Sequence, residues 1–427
     1  MKLTFIPVKT RLPLKFGAET LESVQVAHVE LDAYGATGMG ETPLSASWAW
    51  PSSTLSFASR EQVMMDFCRL LGQEFLTDET TDPMTAGYAF LTEKLPEIHR
   101  RFNAGHQTEM PHLAALICLS AFDLALHDAF GKSRGVPSFR TYNSKYMDHD
   151  LAWFFGDPAF RGKYPQDYFA ADVPEKLPVW HLVGGKDLLL ESERTGKEPE
   201  DGYPVSLEKW IERDGLTCLK IKLTGQDAAW DYDRLVGVGK IALRCGCEAL
   251  SSDFNCMVRE PEYVNAILDR LKAEHPEIFR LLLYVEQPFP YDLEAHRIDV
   301  HSCSERKPLF MDESAHDWKF VKMGYELGWT GVALKVCKTM TGALLSACWA
   351  REHGMLLMVQ DLTNPMKAVV PHVLLAANVG TIKGVECNAS QFYPQASLED
   401  EKRHPGLYER RNGVVDLRSI TGNGFGY

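Results

Sequence analysis

The distribution of hydrophobic positions divides the chain into two parts with different periodicity. Up to about residue 55, apolar and polar residues alternate, most clearly in VQVAHVELDAYG, which predicts strands in a hairpin or meander. From about residue 58 to 137 the spacing becomes helical. There, HLAALICLSAFDLALHDAFGK predicts a mostly buried helix that ends at Gly131. Residues 1–140 are therefore predicted to form an α+β capping domain.

A different rhythm starts near residue 177, after a segment rich in aromatic residues, Asp, Pro and Gly that we interpret as an irregular insertion (141–176). Eight short apolar runs then alternate with helical stretches: LPVWHLV, LTCLKIKL, EALSSDFN, RLLLYVEQP, PLFMDES, GVALKVCK, MLLMVQD and GVECN. Most of these runs are too uniformly apolar to face water, which is typical of parallel strands covered by helices.

Eight such units predict an α/β fold with a modified, TIM-like (β/α) barrel as the catalytic domain over residues 177–400. A doubly wound open sheet is the alternative, but no glycine-rich dinucleotide loop follows the first strand. Residues 401–427 are expected to form a C-terminal segment that packs back on the capping domain.

Charge and composition exclude several classes of partner. The chain has 427 residues and a formal net charge of -13, which argues against nucleic acid and against an anionic membrane surface. No apolar run is long enough to span a membrane, and the first residues lack the apolar core of a signal peptide. Together with ten scattered cysteines, these features predict a reduced, cytoplasmic protein.

Acidic residues follow three successive strands of the predicted barrel. Asp253, Glu286 and Asp312 stand where strands three, four and five end, and the carboxyl ends of barrel strands meet at one face. Carboxylates brought together there would repel, so a hard divalent cation is expected between them. Oxygen ligands favour Mg²⁺ over Zn²⁺, with Mn²⁺ as an alternative. The other interpretation is that each residue caps a helix or lies in a solvated loop.

Lysines lie on two opposite strands. Lys220 and Lys222 share one face of strand two, because side chains alternate along a strand. Lys335 lies on strand six, four strands away and therefore across the barrel. Two opposed lysines with a cation between them would reach both faces of one carbon. The cation and a neighbouring ammonium both disfavour a charged lysine, so lowered lysine pKa values are expected.

The motifs KIK, DFN, EQP, DES and ALKVCK occur in the order of the muconate-lactonizing-enzyme subgroup of the enolase superfamily. Residues 1–140 and 177–427 resemble that subgroup, and AFDLALHDAFGKSRGVP is similar to its stretch before the barrel. The resemblance implies Mg²⁺-dependent abstraction of the proton beside a substrate carboxylate, through an enolate. It also implies that Asp253, Glu286 and Asp312 bind the metal and that Lys222 and Lys335 are the acid and base.

Further roles are implied by the same resemblance. Lys220 would support Lys222 electrostatically, and Asn255 and Glu313 would lie behind the metal ligands. Lys338 also occurs in some relatives, and we interpret it as accessory because the stagger of successive residues would turn it away from Lys335. Six positions are implied to contact substrate: Phe16, Glu19, Trp48, Trp50, Asp361 and Glu386. For the two tryptophans, anchoring of their loop is an equal alternative, and a structural role is an equal alternative for Asp361 and Glu386.

Some features depart from the subgroup. Thr339-Met340-Thr341-Gly342 stands where relatives carry a Gly-Gly pair, and strand eight lacks the Asp-x-Asp of dipeptide epimerases. The substrate, a small-molecule carboxylate, stays open. A racemase, epimerase or cycloisomerase is the first hypothesis, and a lyase acting on the same enolate is the second. A metal hydrolase is disfavoured because no His-x-His occurs, and a non-catalytic carboxylate-binding homologue is the alternative outside enzymes. Relatives are commonly homo-oligomers.

Overall fold

An antiparallel sheet opens the chain. The computed structural model describes residues 1–16, 19–75 and 81–427, with the side chains of residues 14–20 outside the described part. The sheet has the order β1 (Lys2–Phe16), β2 (Glu19–Ala33) and β3 (Ala36–Pro43). Both faces of β2 are apolar: Val26 packs towards barrel residue Leu182, whereas Val29 packs towards the helices of the cap. The sheet therefore lies between those helices and the barrel.

The helices of the cap surround one long, buried helix, α5. Their bounds are α1 (Ala46–Ala49), α2 (Phe57–Glu74), α3 (Pro83–Ala89), α4 (Leu95–Ala104) and α5 (His112–Arg134). Among the described helices, α5 is the one long and apolar enough to cross a membrane, and that stretch is entirely buried inside the protein.

The end predicted for α5 was wrong by one turn. The helix continues past Gly131 to Arg134 and ends at Gly135, which adopts the left-handed conformation with φ of 69°. Gly131 serves another purpose: a Cβ there would lie 2.8 Å from the Cα of Gly424, so the missing side chain admits the C-terminal segment. A glycine needed for close packing was mistaken for one that ends a helix.

The barrel strands and their helices follow the predicted alternation. In the described chain the parallel strands are β4 (Lys176–Val183), β5 (Cys218–Lys222), β6 (Ala249–Asp253), β7 (Leu282–Glu286), β8 (Leu309–Met311), β9 (Gly331–Leu334), β10 (Leu356–Val359) and β11 (Val385–Glu386). The helices from the insertion onward are α6 (Leu151–Phe155), α7 (Leu207–Asp214), α8 (Ala228–Cys245), α9 (Pro261–Glu274), α10 (Pro276–Leu281), α11 (His301–Ser304), α12 (Trp318–Glu326), α13 (Met340–Glu352), α14 (Val369–Val379), α15 (Ala389–Phe392) and α16 (Leu398–Arg403).

The parallel sheet returns to its first strand. Strands β4 to β10 pair in chain order, and β11 pairs with β4. At the seam between β10 and β11, the N–H of Ile382 donates to the carbonyl of Leu357 at 2.9 Å. The predicted barrel with an N-terminal cap is confirmed.

Alternation along the strands places polar groups directly above an apolar floor. Trp180, Tyr284 and Phe310 belong to a cluster that fills one end of the barrel. Two residues further along their strands, Glu286 and Asp312 follow Tyr284 and Phe310 on the same face. The same strand geometry therefore produces both the dry floor and the charged layer above it.

The C-terminal segment contacts both parts of the protein. Its strand β12 (Val414–Asp416) pairs antiparallel with β4. Further on, the N–H of Phe425 donates to Asp128 of α5 at 2.7 Å. The insertion packs beside the barrel, where Lys163 forms an ion pair with Glu352 of α13 at 2.8 Å.

The contact between β3 and α5 tests this packing. A Cβ at Gly40 would lie 2.0 Å from the carbonyl oxygen of Ala121, an atom of the α5 backbone that is unable to give way. We expect Gly40→Ala to lower the free energy of unfolding by about 3 kcal/mol, measured by urea denaturation. The control is Gly72→Ala in α2, whose Cβ would have its nearest neighbours at 3.8 Å. Equal stability of the two variants would contradict this packing.

Candidate active site

Lys220 lies at the centre of the charged layer. Its Nζ is 2.7 Å from Glu286, 3.1 Å from Glu386 and 3.2 Å from Asp253, and its side chain is 2% exposed. Burial disfavours the charged ammonium, but these carboxylates outweigh burial and raise the Lys220 pKa above the ordinary lysine value. Lys220 is thus a fixed positive charge that joins strands two, three, four and eight.

Lys222 stands one level higher on the same strand. Its Nζ lies 2.5 Å from Asp253 Oδ2 and 3.0 Å from Asn255 Oδ1. Burial alone would raise the Asp253 pKa, but Lys222 and Lys220 hold it below the usual range. The side chain of Lys222 is 12% exposed, compared with 5% for Lys335, so Lys222 is the more accessible of the two predicted acid/base lysines.

Asp312 lies between two lysines on the opposite side. Lys335 approaches its Oδ2 at 2.9 Å and Lys338 its Oδ1 at 3.4 Å. Lys338 also donates to the Asp312 carbonyl at 2.5 Å. The expectation that Lys338 is turned away was wrong, because the chain leaves the strand in a 3-10 turn at Val336–Lys338. Three residues make one turn of such a helix, which returns residue 338 to the side of residue 335.

The lysine pKa values depend on burial and on the carboxylates that each lysine contacts. Burial lowers the pKa of Lys335, but Asp312 opposes this effect and the pKa lies above the ordinary lysine value. For Lys338, burial prevails and the pKa is lowered. The lowering expected from a bound cation stays a prediction.

The end of strand seven contributes a residue that the sequence analysis missed. Gln360 bonds to Glu286 through its amide nitrogen and accepts from Lys220 at 3.3 Å. The signal was present, since Gln360 follows the inward-facing Met358 by two positions. Asp361, the residue predicted instead, accepts from the backbone N–H of Asn388 at 2.9 Å.

The Asn388 amide also reaches Glu386 Oε1 at 2.7 Å. Asn388 therefore links the carboxylates of Asp361 and Glu386, while Lys220 binds the other oxygen of Glu386. Each of these two predicted substrate-contacting residues is held by neighbouring groups of the protein.

Trp48 from the cap covers the layer from above. Its indole N–H donates to Glu313 at 3.1 Å, and its ring centroid lies 4.6 Å from Lys335 Nζ. Burial and the charge of Asp312 raise the pKa of Glu313 to about 7. Trp50 instead packs within the core of the cap. The side chains of Phe16 and Glu19, also predicted to contact substrate, lie outside the described residues.

Helix α5 holds the turn that carries the strand-six lysines. Ser120 donates to the Val336 carbonyl at 2.7 Å, and Thr341 Oγ1 donates to Asp123 at 2.7 Å while lying 2.9 Å from His127 Nε2. Thr341 belongs to the tetrapeptide that replaces the expected Gly-Gly pair. Its hydroxyl gives this chain a connection from cap to barrel that glycine would lack.

The site brings many carboxyl groups together. Within the described part of the chain, six carboxyl groups lie among four lysine ammonium groups. The carboxylates are Asp253, Glu286, Asp312, Glu313, Asp361 and Glu386, and the ammonium groups are Lys220, Lys222, Lys335 and Lys338. Burial and nearby Asp253 raise the Glu286 pKa, which shows the strain of this crowding. Among the described residues, no group of His, Cys, Asp or Glu is preassembled to hold a metal ion. The oxygen donors and their crowding nevertheless fit a divalent cation, with ammonium groups now contacting the carboxylate oxygens.

No protein-family profile and no curated protein matches the sequence. Solved structures do match along the whole chain. A mandelate racemase/muconate lactonizing protein from Herpetosiphon aurantiacus is 16% identical, with a TM-score of 0.64 over 99% of this chain and 96% of that one. This chain has the fold of the mandelate racemase/muconate-lactonizing branch of the enolase superfamily.

Two further structures with this fold have named activities. A dipeptide epimerase from Enterococcus faecalis V583, complexed with Mg and L-Leu-L-Tyr, is 16% identical, with a TM-score of 0.64 over 100% of this chain and 98% of that one. The N-succinyl Arg/Lys racemase from Bacillus cereus is 16% identical, with a TM-score of 0.63 over 99% and 93% of the two chains.

The bond from Trp48 to Glu313 is open to a direct test. Trp48→Phe keeps an aromatic ring but removes the donor to a buried carboxylate, so we expect a loss of about 1 kcal/mol in the free energy of unfolding by urea. Trp50→Phe, in the same core cluster and without contact to Glu313, is the control for lost ring volume. An equal loss in both variants would show that the hydrogen bond contributes nothing.

Proposed function

We propose that this protein is a divalent-metal enzyme that removes the proton beside a substrate carboxylate, and that it acts as a racemase, epimerase or cycloisomerase. The observation that carries the proposal is the position of Lys222 and Lys335. They stand on strands two and six, on opposite sides of the barrel, and each contacts a different carboxylate of one cluster. Structural neighbours with the same fold include an epimerase and a racemase, which supports this general kind of reaction.

Asp253, Glu286 and Asp312 would hold Mg²⁺, or Mn²⁺ in its place. The ion supplies a positive charge that stabilises the negative charge developing on a substrate carboxylate. The set fits because its donors are carboxylate oxygens on neighbouring strands and because a cation would relieve the crowding that raises the Glu286 pKa.

The lysines would carry out the proton transfer. Lys222 Nζ and Lys335 Nζ would exchange a proton with opposite faces of the α-carbon, one as base and the other as acid. Lys220, surrounded by carboxylates, keeps its proton and places a fixed positive charge beside Lys222. Trp48 covers Lys335 and excludes water from that side.

Proton exchange tests the roles of the lysines. In D₂O with Mg²⁺, we expect the protein to exchange the α-proton of at least one member of a panel of N-acyl amino acids, dipeptides, muconates and hydroxy acids, followed by proton NMR. Lys222→Ala and Lys335→Ala each remove one acid/base group. Each should therefore lower the rate of stereochemical inversion by at least about a hundredfold.

The exposed lysine of α8, Lys240→Ala, serves as the control and should leave the rate unchanged. Full inversion by either lysine variant would contradict two-face transfer. Loss of activity in only one of the two variants would indicate one-face chemistry, as in a lyase or cycloisomerase.

Metal binding has its own readout in stability. Mg²⁺ at a hundredfold excess over its Kd should stabilise the protein by about 2.7 kcal/mol, seen as a higher melting temperature. Asp253→Asn and Asp312→Asn remove ligand charge and should abolish most of this rise. The control is Asp157→Asn, since Asp157 lies in the insertion and caps a short helical turn. A rise that persists in both ligand variants would place the ion elsewhere.

A further inference from the structure

A cleft beside Lys222 leads out of the charged layer. It has a volume of about 530 Å³ and is lined by residues that follow strands two and three, together with Gly185 after strand one. Lys222 and Asn255 form its inner end, and Trp230 and Met257 line it further out. We propose that this cleft binds an aromatic or flat apolar substituent of the substrate, so that the enzyme acts on carboxylates that carry such a group. The proposal rests on the proposed function, because it takes Lys222 as the point where the substrate reacts.

Access to the layer differs between its sides. On the strand-six side, Trp48 lies over Lys335 and Lys338, which are 5% and 3% exposed. On the strand-eight side, Glu386 is 5% exposed and is held by Asn388 and Lys220. Among the described side chains, Lys222 is the most exposed of the site lysines, and the cleft opens on it. A bound substrate with its reacting carbon near Lys222 would extend its distal part into this cleft.

The outer wall of the cleft is a fixed aromatic surface. Trp230 lies in the first turn of α8, where the Asp227 side chain accepts its backbone N–H at 3.0 Å. The guanidinium of Arg234 lies 6.0 Å from the indole ring and is anchored on the Asp187 carbonyl at 3.0 Å. A half-buried indole held in this way binds a flat partner at little cost in conformational entropy.

A strained turn after strand three forms another part of the lining. Asn255 and Cys256 both have positive φ angles, 45° and 66°, which residues other than glycine rarely adopt. The turn brings Met257 against the loop of strand two, where a Cβ at Gly225 would lie 2.9 Å from Met257 Cβ. Strain of this kind is found where surrounding structure must hold a functional geometry. Here it places a polarizable thioether in the lining of the cleft together with the Trp230 indole, a pairing suited to an aromatic ring.

The polar groups of the cleft define how a ligand would lie. Lys222 is at the inner end, Phe254 and Leu223 form buried apolar floor, and Thr224 and exposed Gln226 stand at the rim. A negative group would therefore lie inward and an apolar ring outward. This order fits an arylalkyl carboxylate or an acyl derivative that carries an aromatic side chain.

The test compares two probes, 3-phenylpropanoate and propanoate, by titration calorimetry on the full-length protein with and without Mg²⁺. For the wild type, we expect 3-phenylpropanoate to bind about tenfold more tightly than propanoate. Trp230→Ala should reduce this ratio to about twofold or less, and Trp230→Phe should retain most of it. Trp153→Ala removes an indole that is 47% exposed in the insertion, outside the cleft, and should leave the ratio unchanged.

Two results would overturn the proposal: a wild type that binds both probes equally or not at all, or a Trp230→Ala variant that keeps the wild-type ratio. Neither result depends on turnover. Failure of the proposed function would show instead as α-proton exchange that is absent or independent of Lys222 and Lys335. The two failures are therefore distinguishable.

Discussion

The burial of Lys220 among three carboxylates is the constraint on which the rest of the site depends. An ammonium removed from water is costly unless charged partners surround it, and the partners come from strands three, four and eight. The lysine thereby fixes the relative positions of Asp253, Glu286 and Glu386. Once gathered, these carboxylates are crowded, and burial together with nearby Asp253 raises the Glu286 pKa. The proposed divalent cation would relieve this crowding.

A second constraint joins the cap to the chemistry. The turn that carries Lys335 and Lys338 is bonded to α5 through Ser120 and Asp123. Trp48, from another helix of the cap, donates a hydrogen bond to Glu313 and covers Lys335. The cap therefore both supports and encloses the strand-six lysines. In this protein, both the N-terminal cap and the barrel therefore contribute residues that form the candidate active site.

Much of the fold was predictable because a parallel barrel imposes a simple pattern. Uniformly apolar strands alternate with helices, and functional side chains stand at the carboxyl ends of the strands. The positions of Asp253, Glu286 and Asp312 could therefore be located from the sequence. The predictions that were wrong concern positions whose geometry does not follow the two-residue period of a strand. Lys338 returns to the site through a 3-10 turn, and Gly131 is small to admit Gly424.

Other parts of the site depend on contacts between distant segments. No local pattern shows that Trp48 would meet Lys335, because the two residues are brought together by packing of the cap on the barrel. The role of Thr341 is similar: in sequence it is a departure from a Gly-Gly pair, and only the structure shows its bond to Asp123. Positions set by tertiary packing carry little signal in the sequence around them.

We propose that Asp253, Glu286 and Asp312, whose carboxylates now contact lysines, are the ligands of a divalent cation. Crystals soaked in Mn²⁺ would reveal such an ion in an anomalous difference map. We expect one strong peak within coordination distance of Asp253, Glu286 and Asp312, with Lys222 and Lys335 on either side of it. Crystals that bind Mn²⁺ elsewhere, with the lysines still on these carboxylates, would contradict it.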